Sequence, residues 1–139
     1  MVILLAWLAA LAAPLTRAAD RPPARDAAAS APVILVFGDS LSAGYGVPPG
    51  HGWVDLLARK IAREGYDFSV VNASVSGETT EGGLARLPRA LAMHKPAILV
   101  LELGANDGLR GLPVAQARHN LAQMITLSQA HGARVLLIG

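Results

Sequence analysis

Three short segments carry polar residues whose types could together break an acyl bond: Gly38-Asp39-Ser40, Ser74 to Gly77, and Gly104 to Asp107. Ser40 offers a hydroxyl directly after an aliphatic run, in a turn where Gly38 permits tight backbone geometry and the small Ser42 and Ala43 leave room for a substrate. A hydroxyl that attacks a carbonyl needs an oxyanion stabilised, by backbone N–H groups at glycine positions and by a side-chain amide. Gly77 and Asn106 offer one of each. Each feature also has a plainer reading: Asp39 and Ser40 as a helix cap, Gly77 as a turn glycine, and Asn106-Asp107-Gly108 as a turn. Position alone leaves both readings open.

Other chemistries fail on the residues. A phosphate-binding P-loop needs a lysine after its last glycine, and Gly38 to Gly46 has none. Gly44-Tyr45-Gly46 is followed by Val47-Pro48-Pro49, which breaks a dinucleotide fingerprint. The four histidines, His51, His94, His119 and His131, lack metal-ligand spacing, so no metal is expected. None suits a base for Ser40: His94 and His131 lie near helix C-termini, His119 is mid-helix, and His51 precedes a helix. Glu102, inside an apolar strand, reads as a paired structural charge rather than an acid catalyst.

The elements that must hold these segments alternate strand and helix, the signature of a parallel sheet covered by helices. Val33–Phe37 is uniformly apolar, as for a strand buried on both faces. Trp53, Leu56, Leu57 and Ile61 mark one helical face ending at Gly65. Residues 68–73 form a second strand, and a helix with Leu84, Leu87 and Leu91 on one side follows, to be kinked or restarted at Pro88. Residues 97–103 form a third strand. Pro113 opens a helix presenting Val114, Ala117, Leu121, Met124 and Ile125, with Gly132 its C-terminal cap. Residues 134–139 open a fourth strand of central type, so the sequence reads as interrupted rather than complete. In such sheets ligands bind beyond the C-terminal ends of the strands, where all three polar segments lie.

Gly38-Asp39-Ser40-Leu41-Ser42-Ala43-Gly44-Tyr45, Asn72-Ala73-Ser74-Val75-Ser76-Gly77-Glu78-Thr79 and Leu103-Gly104-Ala105-Asn106-Asp107-Gly108-Leu109-Arg110-Gly111 resemble the first three blocks of the SGNH (GDSL) hydrolases. Within that family they are most similar to the bacterial periplasmic thioesterase, lysophospholipase and arylesterase branch. The resemblance covers residues 33–139. It implies a flavodoxin-like three-layer α/β/α fold and hydrolysis of esters and thioesters through an acyl-enzyme on Ser40. The oxyanion hole would be the Ser40 and Gly77 N–H groups with the Asn106 amide. Asp39 and Leu109 would contact substrate, Leu109 near the acyl chain. No cofactor is implied. The family's fourth block, Asp-x-x-His, supplies the base and its orienting acid; no such pattern occurs in this sequence, and it is expected beyond Gly139. A carbohydrate O-deacetylase or a non-catalytic acyl- or glycan-binding protein of this fold are the alternatives.

Composition bounds the rest. The length of 139 residues suits one domain. A net charge of +2, with Lys and Arg scattered singly, makes no basic face for nucleic acid. With no cysteine, disulfides and thiolate zinc sites are excluded. The unbroken apolar run Val2–Ala13, followed by small residues near Ala18, reads as a signal peptide over residues 1–18. It is shorter than the roughly 20 residues a membrane span needs. Residues 19–32 read as a solvated linker. The expected product is a periplasmic or secreted monomer without a stable membrane anchor, acting on a small acyl ester, thioester or lysophospholipid.

Overall fold

The computed structural model describes residues 30–139. The expected signal peptide, and all but the last residues of the expected linker, lie outside that range. Nine elements follow in chain order: β1 (Val33–Gly38), α1 (Ser40–Ala43), α2 (Trp53–Arg63), β2 (Ser69–Asn72), α3 (Thr80–His94), β3 (Ile98–Glu102), α4 (Ala105–Leu109), α5 (Val114–Ala130) and β4 (Arg134–Leu137). The four strands form one sheet in the order β2-β1-β3-β4. Every pair is parallel, with Leu35 opposite both Val71 and Leu99.

Side chains of a strand alternate between faces, and β1 has a layer against each. Leu35 and Phe37, with Leu99, Leu101 and Leu103, pack against Leu87 and Leu91 of α3 and Met124 of α5. Ile34, Val36 and Val100 face the other way, against Trp53, Val54 and Ile61 of α2. This three-layer arrangement explains the run of apolar residues in β1, and it is the α/β fold that the strand-helix alternation predicts.

Two expectations change. α3 continues through Pro88 as one helix, so of the expected kink or restart the restart does not occur. α5 turns most of its expected apolar stripe to the sheet, with Met124 fully buried and Leu121 and Ile125 packed against the core, but Val114 is 80% exposed, and Asn120 and Ser128 are buried beside the stripe. The two polar members are buried because each is bonded. The Ser128 hydroxyl donates to the Met124 carbonyl, and Asn120 belongs to a network at the top of α3. Gly132, at φ 83, closes α5 by donating to the Gln129 carbonyl, one residue beyond the cap at His131.

Candidate active site

All three polar segments follow strands that run the same way, so they meet at one edge of the sheet. Ser40 begins α1 immediately after β1 and is half-buried. Asp39 caps that short helix, its Oδ1 accepting from the Leu41 N–H at 3.0 Å. The cap reading and the nucleophile reading are therefore compatible, since the aspartate caps and the serine hydroxyl remains unbonded among the described residues. The next segment is braced against β1: the Val75 N–H donates to the Gly38 carbonyl and the Gly38 N–H to the Ser74 hydroxyl, each at 3.0 Å.

Gly77 sits in a turn closed by the Glu78 N–H on the Val75 carbonyl, at 3.1 Å. Its φ of 80 is the left-handed value that the third position of a type II turn requires, which favours glycine. Its own N–H has no acceptor among the described residues, so it is a free donor on an exposed loop. Asn106 lies in α4, after Gly104 turns the chain at φ 125. Its Nδ2 donates to Asp39 Oδ2 and to the Glu78 carbonyl, both at 3.0 Å. One amide thus bridges the neighbour of Ser40 to the neighbour of Gly77. Both of its hydrogens have acceptors here, so an oxyanion would share or take over the one given to Asp39.

Asp39, expected to contact substrate, has its carboxylate turned into the protein. It is 1% exposed and bonded on both oxygens, bracing α1 and the Asn106 amide. Ser42 is likewise buried, so it does not line an opening; its hydroxyl donates to Glu102 at 2.8 Å. Glu102 is a structural carboxylate, as its strand position suggests, but its partner is that hydroxyl, and it makes no ion pair among the described residues. Leu109 is 85% exposed at the end of α4. The histidines stay apart from Ser40 in their bonding: His51 contacts the Pro49 carbonyl, His119 the Gln123 side chain and His131 the Leu127 carbonyl, while His94 ends α3.

Several residues that hold the site were not singled out from the sequence. Asp107, 4% exposed, accepts from the Thr80 N–H at 2.8 Å and from the Thr80 hydroxyl. Asn120 donates to that hydroxyl at 3.0 Å, and Gln116 donates to Asn120 at 2.9 Å. This network ties α4 to α3 and α5. Arg86 reaches back from α3 to the Glu78 carboxylate and the Ala73 carbonyl. Its guanidinium lies 4.1 Å from the centre of the Phe37 ring, so the Nη2 that lacks an oxygen partner faces an aromatic surface. A lone Asp or Thr has no spacing signature, and only the fold reveals these partners.

Known proteins match the chain over most of the described residues. Residues 36–139 match the GDSL-like Lipase/Acylhydrolase family. The chain is 57% identical over 111 residues to Esterase TesA of Pseudomonas aeruginosa, covering 80% of this chain and 55% of that protein. It is 49% identical over 105 residues to an arylesterase of Vibrio mimicus, covering 76% and 52%, respectively. With the Thioesterase 1/protease 1/lysophospholipase L1 of Escherichia coli K12 it shares 45% identity over 111 residues, 80% of this chain and 52% of that one. The chain thus spans about half the length of these curated relatives. Among solved structures, that of TesA superposes with a TM-score of 0.76 at 57% identity, covering 77% of this chain and 59% of the other. Esterase EstA from Pseudoalteromonas sp., in a structure inhibited by monoethylphosphonate, gives 0.73 at 47% identity, covering 76% and 57%. With its polar blocks converging at one sheet edge and more than half its length matched, the chain belongs to the GDSL-like lipase/acylhydrolase family.

Proposed function

We propose that this chain supplies the nucleophile and the oxyanion hole of a serine hydrolase that cleaves carboxylic esters and thioesters. One observation carries the reading: the Asn106 amide is bonded both to Asp39, which precedes Ser40, and to the carbonyl of Glu78, which follows Gly77. That bridge links the segment that carries the Ser40 hydroxyl to the segment that carries the free Gly77 N–H, which supports reading the three as one site. Ser40 Oγ would attack the acyl carbon, and the Ser40 and Gly77 N–H groups with the Asn106 amide would receive the negative charge that forms on oxygen. The acyl group would pass to Ser40 and then to water, releasing first the alcohol or thiol and then the acid.

A general base must take the Ser40 proton within hydrogen-bond reach, and none of the chain's histidines is bonded to that hydroxyl. We assign the base and its orienting acid to residues outside this sequence, in a part corresponding to the unmatched half of its relatives. The named activities of those relatives support the ester and thioester classes. The phosphonate-inhibited neighbour supports acyl transfer, because a tetrahedral phosphorus acid mimics its intermediate. A periplasmic or secreted location fits the apolar run at the start of the sequence, and among the described residues no helix is long and apolar enough to cross a membrane.

Hydrolysis of a p-nitrophenyl acyl ester by the protein, followed by absorbance, is the test. Ser40→Ala should abolish turnover above background while circular dichroism stays unchanged. Undiminished turnover in the variant would remove Ser40 as nucleophile.

A further inference from the structure

The oxyanion donor at Gly77 stands on a loop with little of its own to fix it. Glycine takes positive and negative φ about equally well, the residue is exposed, and a methyl group added there would find only the Arg110 guanidinium within 4 Å, at 3.7 Å. Apart from the turn bond of the Glu78 N–H to the Val75 carbonyl, what holds the carbonyls of Gly77 and Glu78 comes from the segment that begins with α4. Arg110 Nη2 donates to the Gly77 carbonyl at 2.7 Å, and Asn106 donates to the carbonyl of the next residue. Three residues of one short stretch, Asn106, Asp107 and Arg110, therefore grip three consecutive-region points of the other: Glu78, Thr80 and Gly77.

Arg110 is the one member of this grip that is exposed, and it forms no ion pair among the described residues. The nearby carboxylates have other partners: Asp39 holds Asn106, Asp107 holds Thr80, and Glu78 holds Arg86. Its charge is thus left for the carbonyl. Hydrogen bonds from a charged donor are about twice as strong as neutral ones.

We propose that Arg110 is a positioning residue for the oxyanion hole, fixing Gly77 through its carbonyl so that the free Gly77 N–H points where the oxyanion forms. This rests on the hydrolase reading above, but the contact can be tested apart from it. In ¹H–¹⁵N spectra of the protein, Arg110→Ala should shift and broaden the Gly77 and Glu78 amides and the Asn106 side-chain amide, leaving amides of β1 and α5 in place. In the p-nitrophenyl ester assay the same variant should lower kcat by about tenfold with KM little changed, less than the loss of about a hundredfold or more expected for deleting a donor outright. Arg110→Lys, which keeps the charge, should recover part of that loss, and so should millimolar guanidinium added to Arg110→Ala. Unmoved Gly77 and Asn106 resonances would overturn the proposal whether or not the protein is a hydrolase. Moved resonances with unchanged kcat would overturn the catalytic consequence while leaving Ser40 as nucleophile untouched.

Discussion

Asp107→Ala should be among the most damaging single changes available outside the hydrophobic core. The carboxylate takes two hydrogen bonds from Thr80, which is itself fully buried, and Asn120 completes the same hydroxyl. Hydrogen bonds to charged groups contribute about 1.5–3 kcal/mol each. Part of that total offsets the cost of burying the carboxylate, which alanine no longer incurs. Alanine, however, leaves the Thr80 N–H buried without an acceptor, at a cost of about 1–3 kcal/mol. The net loss should be about 3 kcal/mol. Asp107→Asn is the control: its oxygen can still accept from the Thr80 N–H, and only the Thr80 hydroxyl loses its acceptor, so it should lose less, about 1–2 kcal/mol. Urea unfolding of the protein followed by circular dichroism measures both, and the slopes should match the wild type. Equal losses in the two variants, or an alanine loss below about 0.5 kcal/mol, the usual range for a surface change, would refute the claim that acceptor geometry at Asp107 holds α4 to α3.

Two further outcomes are expected. Asn106→Ala should reduce kcat on p-nitrophenyl esters by on the order of a hundredfold or more, as for an oxyanion donor, and should also cost about 1–2 kcal/mol in stability because Asp39 loses a partner; full activity would exclude the amide from the site. Gly38→Ala should destabilise the protein by about 1–3 kcal/mol, because the new methyl would lie 2.7 Å from Glu102 Oε2 and 2.9 Å from the Glu102 carbonyl; an unchanged urea midpoint would show that β1 and β3 can part more easily than their pairing indicates.

The fold was legible where both faces of an element meet the same kind of neighbour. β1 is apolar at successive positions because a helical layer covers each of its faces. In α5 the apolar spacing found Leu121, Met124 and Ile125 but not the exposure of Val114 at the helix start, nor the burial of Asn120 and Ser128, which follows from their hydrogen bonds. The candidates Ser40, Gly77 and Asn106 could be picked out because each lies in a loop that follows an aliphatic run. The braces could not, because Asp107 and Thr80 are 27 positions apart and Asn106 and Asp39 are 67 apart. Asp39 shows the limit most clearly. The resemblance implied contact with substrate, whereas its carboxylate is bonded to a helix N-terminus and an amide.

The pairing of β1 with β3 has a consequence for how activity would be lost on heating. Ser40 and Asn106 follow the two central strands, whose inward residues Leu35, Phe37, Leu99 and Leu101 are fully buried. Local openings of a protein begin where buried contacts are few and reach the central strands only in global unfolding. Ser40 and Asn106 are therefore joined to the last cooperative unit to open, whereas Gly77, on an exposed loop, can loosen ahead of it. Of these three positions, Gly77 is thus the one expected to loosen below the main transition.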